Sequence, residues 1–194
     1  MTIVCVLRAG KDFRPAHVQW LARQVPGIVC LSDQEVPGVQ TIALQKNWPG
    51  WWSKIEALDA ELIQGDVLLI DLDTVVLELP DMPTVTTVLR DFYRPHQMGS
   101  GFMFLTAEDR ARCWEAFNED PQRHMKECVT WERCGDQGFL EPLIGRSNKW
   151  GNDVRSYKVH CRFGVPRGTK VVCYHGKPRP WDCGAEWVPK MEYA

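Results

Sequence analysis

Apolar positions along the chain change their period several times, and each change marks a switch between extended and helical structure. Thr2–Leu7 (Thr-Ile-Val-Cys-Val-Leu) is a β-rich run stopped by Arg8-Ala9-Gly10-Lys11. Pro15 then opens a predicted helix with Val18, Leu21, Ala22 and Val25 on one face, and Pro26-Gly27 stops it. Short strands are expected at Ile28–Leu31 and Thr41–Leu44. Trp52, Ile55, Leu58 and Leu62 fall at helical spacing, which predicts a helix ending before Gly65. The strand Val67–Ile70 follows directly, and Thr74–Leu79 continues extended. Thr86–Phe92 and Gly101–Leu105 read as further strands, Ala107–Phe117 and Gln122–Val129 as helices. Asp136–Ile144 is a predicted short helix capped by Asp136, with Gly135 before it. Tyr157–His160 and Lys170–Tyr174 read as late strands, and the Gly-, Pro- and Trp-rich stretch from His175 onward as an ordered loop or tail.

Strands alternate with helices in the first half, which argues for an α/β fold with a largely parallel sheet; the second half is more mixed. There is no repeat, no low-complexity tract and no linker, so residues 1–194 are expected to form a single domain. A chain of 194 residues with 44% apolar and 25% charged side chains can bury a real core. The net charge of −2 removes any global basic field for nucleic acid or an anionic membrane. The local basic clusters (Arg90, Arg94 and His96; Lys177 and Arg179) are small.

No apolar run reaches membrane-spanning length, and the N-terminus lacks a basic region followed by a long apolar stretch. A cytoplasmic protein with reduced thiols is expected. Cys5, Cys30 and Cys173 lie in strand-like runs and read as buried thiols. Cys128 and Cys134, with His124 nearby, lack the Cys-x-x-Cys pairing that marks a structural zinc site. The nine Trp hint at stacking on a sugar or base. In particular, Trp48-Pro49-Gly50-Trp51-Trp52 reads either as an aromatic platform or as a packing staple at a helix start.

Four motifs carry chemistry. The first is Asp71-Leu72-Asp73, at the end of an apolar strand. Buried carboxylates need partners. Two of them at a strand end suit a divalent cation held against a phosphate, because hard cations take carboxylate oxygens and share phosphate oxygens with a substrate. The bland alternative is a strand end where Asp71 caps a turn and Asp73 is solvated. The second motif is the strand that ends in His175-Gly176-Lys177-Pro178-Arg179-Pro180-Trp181. It supplies a metal-capable imidazole, a glycine that lets a ligand approach the backbone, and a lysine suited to a diphosphate. The third is Cys134-Gly135-Asp136-Gln137-Gly138-Phe139, which sets a carboxylate and an amide at a helix start. The fourth is Met98-Gly99-Ser100-Gly101-Phe102, a small-residue turn entering a strand.

The order of these motifs resembles that of GT-A-fold glycosyltransferases, most of all the retaining, family-eight-like group related to glycogenin and galactosyltransferases. The resemblance runs from residue 2 to about residue 182. It implies a Rossmann-like, mostly parallel sheet flanked by helices. The nucleotide-binding half would be about 1–80, the acceptor half about 81–182, and 183–194 a tail. It implies transfer of a sugar, with retention, from a nucleoside-diphosphate sugar such as a UDP-hexose. The family's cation is Mn²⁺, with Mg²⁺ the alternative, and the matching ligands are Asp71, Asp73 and His175. Asp136 and Gln137 match the pair beside the reacting sugar. Leu7, Arg8 and Lys11 match the region that holds the nucleoside, and Lys54 matches a basic residue that contacts the donor. Leu72 lies between the two acids, and Gly176 with Lys177 or Arg179 would meet the diphosphate. The family's Asn-x-Gly turn appears as Gly99-Ser100-Gly101, so only Ser100 and Gly101 carry over. A retaining reaction needs no strong base; in an inverting one, Asp136 is the candidate. The acceptor is open among a saccharide, a protein, a lipid-linked sugar and a modified DNA base. Two other readings compete: a haloacid-dehalogenase-like, Mg²⁺-dependent phosphatase using Asp71 and Asp73, and a non-enzymatic α/β binding module.

Overall fold

The computed structural model describes residues 1–10 and 12–191. It opens with strand β1 (Thr2–Leu7), followed by helix α1 (Pro15–Gln24) and strands β2 (Val29–Ser32), β3 (Thr41–Ala43) and β4 (Val67–Ile70). These four strands pair in parallel in the order β3-β2-β1-β4. Strand β5 (Thr74–Val76) leaves that sheet, and β6 (Thr87–Arg90) and β7 (Met98–Leu105) return to it. β7 lies antiparallel between β4 and β6. Helices α2 (Ala107–Asn118), α3 (Pro121–Glu127) and α4 (Gly135–Ile144) follow. The short strand β8 (Asn148–Lys149) completes the seven-stranded sheet, parallel to β6. β9 (Val154–Ser156) and β10 (Val171–Cys173) join β5 in a second, three-stranded sheet of order β5-β10-β9.

β4 shows why its sequence is uninterrupted Val-Leu-Leu-Ile. Leu68 and Ile70 point into a core shared with α1 and the small sheet, while Val67 and Leu69 point into a second core with α2 and α4. A strand covered on both faces needs apolar residues at every position. The apolar run ends where cover ends, and Asp71-Leu72-Asp73 is the whole connection between β4 and β5. The acids therefore stand where the chain crosses from one sheet to the other, with Ile70 opposite Phe102 on one side and Thr74 opposite Cys173 on the other.

Four local expectations are corrected. The helix expected through Leu62 is a 3₁₀ helix, Gly50–Leu58. Trp52, Ile55 and Leu58 are three apart, the period of a 3₁₀ turn, and only Leu62 breaks that spacing. Its end is held by Arg110 of α2, almost wholly buried, which donates to the carbonyls of Ala57 (3.0 Å), Asp59 (3.2 Å), Ile63 (2.8 Å) and Gly65. Tyr157–His160 is not a strand but part of a single π-helical turn, Tyr157–Cys161. The Ser156 hydroxyl accepts from the Val159 N–H (3.3 Å), and His160 Nδ1 accepts from the Ser156 N–H (3.1 Å); these side-chain bonds curl the segment. Asp136 is not the cap of α4. The helix starts one residue earlier at Gly135, with Cys134 at the N-cap position making no side-chain capping bond, and Asp136 is buried in the first turn. Finally, β8 and β9 fall where no strand was expected, because strands of two or three residues carry no readable period.

The Trp-rich C-terminal stretch is ordered against α1. Trp181 stacks on His17 with centroids 4.1 Å apart, and Trp20 Nε1 donates to the Pro189 carbonyl at 2.8 Å. Among the described residues, no helix is long and apolar enough to cross a membrane.

Candidate active site

A cavity of about 740 Å³ opens at the C-terminal ends of β1 and β4. In open α/β sheets this end is where ligands bind. Its floor is the β4–β5 connection. The Asp71 N–H donates to the Gly101 carbonyl at 2.9 Å, which extends the β4–β7 ladder by one residue and fixes the carboxylate. A Cβ at Gly101 would come within 3.2 Å of Asp71 Oδ2, so this position keeps room for the acid.

Each acid has its own cation. Lys54 Nζ lies 2.7 Å from Asp71 Oδ1 and 3.2 Å from Asp136 Oδ2, and also reaches Ser100 Oγ at 3.4 Å. Burial is the largest single influence on the Lys54 ammonium and works against its charge, but the Asp136 and Asp71 carboxylates outweigh it and its pKa rises. Asp73, 4% exposed, is paired to Arg179, whose other nitrogen lies 3.6 Å from Asp12. The Arg179 guanidinium also covers the Phe13 ring at 4.9 Å. Burial, and then the charge of Asp71, push Asp73 up to about 7. Asp71 is raised too, first by burial, with Lys54 pulling the other way. Two acids that repel one another on the cavity floor, Asp73 buried and Asp71 part-exposed, each facing a cation, form a mixed-charge surface suited to a polyanionic ligand and its counter-ion.

The expected residues do not all meet. Arg8, Lys54, Asp71, Leu72 and Asp73 line the cavity, as do Ser100, Gly101, Gln137, His175, Gly176 and Arg179. Leu7 is wholly buried in the core behind it. Asp136 is reached only through Lys54. Lys177 is exposed and is not part of the lining, so Arg179 is the cation of that loop that lines the cavity. Lys11 lies outside the described residues. His175 stands apart from the acids: its Nε2 meets the Ser156 hydroxyl at 2.6 Å and its ring stacks on Phe92. Burial, then Lys158, lower its pKa. Cys173, not His175, is the β10 side chain that feels both acids; burial and then the charges of Asp71 and Asp73 push its thiol up. Among the described residues, no three His, Cys, Asp or Glu side chains gather as a ready cage for a cation.

The opposite wall holds a group that the sequence reading missed. Asp91 Oδ1 accepts from the N–H groups of Tyr93 (2.9 Å) and Arg94 (2.8 Å), and Oδ2 accepts from Gln137 Nε2 (3.3 Å) and Arg94 Nη2 (3.2 Å). Burial opposes the charge, but these donors hold Asp91 below the usual carboxylate range. The Asp-Phe-Tyr-Arg stretch is an Asx-turn signature, which is the local signal for it. The Trp cluster divides between its two readings. Trp48 and Trp52 are buried against Phe117, while Trp51 is exposed on the cavity and packs against Gly135. A Cβ at Gly135, whose φ is +61°, would come within 2.5 Å of the Trp51 ring.

No protein-family model matches the sequence, and no curated protein matches it. Solved structures do match the fold. A galactosyltransferase, LgtC, in complex with donor and acceptor sugar analogues superposes with a TM-score of 0.68 over 97% of this chain and 92% of its own, at 13% identity. The fold is GT-A. An active-site mutant of LgtC gives a TM-score of 0.59 over 97% of this chain and 92% of its own, at 11% identity. The glycosyltransferase GlyE of Streptococcus pneumoniae TIGR4 gives 0.59 at 14% identity, over 93% of this chain and 56% of its own. At these identities the likeness is one of architecture. In this GT-A chain the seven-stranded sheet carries the acids at the end of β4, and the small sheet brings β10 and its loop to face them.

Proposed function

We propose that this chain is a glycosyltransferase that moves a hexose from a nucleoside-diphosphate sugar, a UDP-hexose in the first instance, with retention. The observation that carries the reading is the floor of the cavity. Asp71 and Asp73 sit at the sheet crossover of a GT-A fold, with Lys54 and Arg179 facing them and Gln137 on the wall beyond. A diphosphate has the charge that Arg179 answers, and Arg179 is held in place by Asp73, Asp12 and the Phe13 ring.

The two carboxylates fit a divalent cation, Mn²⁺ or Mg²⁺. They are hard oxygen donors, and burial, then their mutual repulsion, raises Asp73. With no third such side chain gathered among the described residues, such an ion would rest on Asp71 and Asp73 and on phosphate oxygens, as ions that keep few protein ligands do. When bound, it neutralises charge on the departing phosphate. The chain's own groups do the rest. Arg179 offers a fixed cation to the leaving diphosphate. Lys54 holds Asp71 in place. Asp136, bound to Lys54, positions that lysine rather than acting as a base. Gln137, its amide nitrogen held by Asp91, turns its carbonyl oxygen free for the donor sugar or the acceptor. None of these contacts favours the phosphatase alternative.

The test is turnover. The protein is incubated with UDP-glucose or UDP-galactose and Mn²⁺, and UDP release is followed alongside hydrolysis of p-nitrophenyl phosphate. Release of UDP that disappears in Asp73→Ala is the expected result. Phosphate-ester hydrolysis without UDP release would overturn the proposal.

A further inference from the structure

The net charge of −2 hides an uneven distribution. Between Val154 and Trp181 the chain has seven Lys and Arg and no Asp or Glu; of its 23 cations this leaves 16 elsewhere, against all 25 acids. The fold gathers this run in the small sheet and its loops. Arg155 lies on β9, Lys158 on the π-helical turn, Arg162 and Arg167 on the way into β10, and Lys177 on the loop that leaves it. Lys170 is paired with Glu78, and Arg179 with Asp73 and Asp12. Among the described residues, the other five pair with no acid, and Arg155 Nε is buried without a hydrogen-bond partner. The run borders the cavity. A Cβ at Gly176, which lines it, would lie 3.7 Å from Lys158 Nζ. The His160 ring packs edge-on to Phe92, another lining residue, with centroids 5.8 Å apart. Arg90, exposed and also without an ion pair among the described residues, is itself part of the lining. Open rings accompany these cations. Phe163 is 98% exposed with the Arg162 guanidinium 5.8 Å from its centre, and Trp51 and Tyr93 are exposed on the cavity.

We propose that this face, together with Arg90, binds a single strand of nucleic acid and runs it past the mouth of the cavity. Cations left without acids repel one another. A row of phosphates relieves that repulsion and gives up its condensed counter-ions on binding. Unpaired bases present flat faces on which exposed aromatic rings stack, whatever the base. A duplex hides those faces, so the open rings select an unpaired strand. An acidic bilayer also carries negative charge, but it meets a protein along one broad surface and rewards a wide apolar face. Among the described residues, the exposed large apolar side chains of the run are Val159 and Phe163 alone. The cations and rings also continue, through Arg90, Tyr93 and Trp51, into a cavity that a bilayer does not enter. The inference goes beyond the transferase reading and does not depend on it. Together the two favour the modified base of a nucleic acid among the acceptors left open.

The experiment measures fluorescence anisotropy of a labelled mixed-sequence oligodeoxynucleotide of about 30 nucleotides, single-stranded and as a duplex, titrated with the full chain. Flotation with vesicles of phosphatidylglycerol and phosphatidylcholine is measured alongside. With about five phosphate contacts, log affinity for the single strand should fall with log salt at a slope of about −3.5, which is about a 100-fold loss between about 50 and 200 mM. Arg162→Gln/Arg167→Gln, at two exposed side chains, should weaken binding and make the slope shallower by about 1.4. Phe163→Ala should weaken binding about tenfold, the loss of one stacked base, and leave the slope unchanged. Arg123→Gln/Lys126→Gln removes the same charge from α3, outside the face, and should stay within about twofold of the wild type. No binding of the single strand at about 50 mM salt, or binding that the α3 pair weakens as much as the Arg162 and Arg167 pair, overturns the proposal. Vesicle binding without strand binding overturns it too and gives the face to a membrane. Duplex binding as tight as that of the single strand overturns the choice of an unpaired strand.

Discussion

Lys54→Met removes the one ammonium that serves two acids. The perturbation keeps the apolar stem and deletes the charge 2.7 Å from Asp71 and 3.2 Å from Asp136. Among the described residues Asp136 Oδ2 has no hydrogen bond besides that ion pair, so it is left buried and unpartnered. Breaking a buried pair from one side costs about 3–5 kcal/mol. In a chain of this size that corresponds to a drop in Tm of about 6–20 °C. The pH dependence distinguishes charge from packing. Lys54 has a raised pKa, so its contribution is fully present throughout the neutral range and the wild type should be insensitive to it between about pH 5.5 and 8. Asp71 is already raised by burial, and losing the downward pull of Lys54 raises it further. A carboxyl whose folded pKa lies above its unfolded value gains stability as pH falls, so the deficit of the variant should be largest at pH 8 and shrink toward pH 5.5. The assay is urea denaturation of wild type, Lys54→Met and Lys54→Met/Asp71→Asn at both values. The double variant should recover part of the loss at pH 8. A Lys54→Met deficit below about 1 kcal/mol at pH 8, or one that does not change with pH, would refute the reasoning.

Three further outcomes are expected. Arg110→Met, which strips the donors from four backbone carbonyls at the end of the 3₁₀ helix, should lose about 3–5 kcal/mol in the same denaturation experiment; a loss under about 1 kcal/mol would show that water replaces the guanidinium. Asp91→Asn should cost about 1–3 kcal/mol at pH 7 by loosening the turn and Gln137. Because Asp91 is held below its ordinary pKa, that stability is present above about pH 4 and lost as pH falls further, so the gap between wild type and variant should close in acid; a constant gap would contradict the assignment. Lys177→Ala should leave UDP affinity within about twofold of wild type while Arg179→Ala weakens it at least tenfold, since of these two side chains Arg179 lines the cavity and Lys177 does not; the reverse order, read by calorimetry, would reassign the diphosphate contact.

The parts of the fold that were legible are those written in local pattern. β1, α1 and β4 announce themselves because a strand covered on both faces must be apolar throughout and a helix on one face must repeat. The two acids after Ile70 stood out for the same reason: the apolar run ends abruptly. What the sequence hid depends on partners far along the chain. The end of the 3₁₀ helix is set by Arg110, some fifty residues away. Tyr157–Cys161 curls because Ser156 and His160 bond the backbone, although its alternation imitates a strand. His175 looked like a companion of the acids by its place at a strand end, but Ser156 and Phe92 turn it aside, and Cys173 two residues earlier sits beside them. Asp91 was silent because its role arises only when α4 brings Gln137 to it.

The central claim is that the floor formed by Asp71 and Asp73 binds a nucleoside diphosphate. The most direct measurement is calorimetric titration of UDP into the full chain, with and without Mn²⁺, in wild type and Asp73→Ala. The account predicts binding that Mn²⁺ strengthens and that the variant loses by at least tenfold. Binding of UDP that ignores both the cation and Asp73, or no binding of UDP, GDP or ADP under either condition, would contradict it.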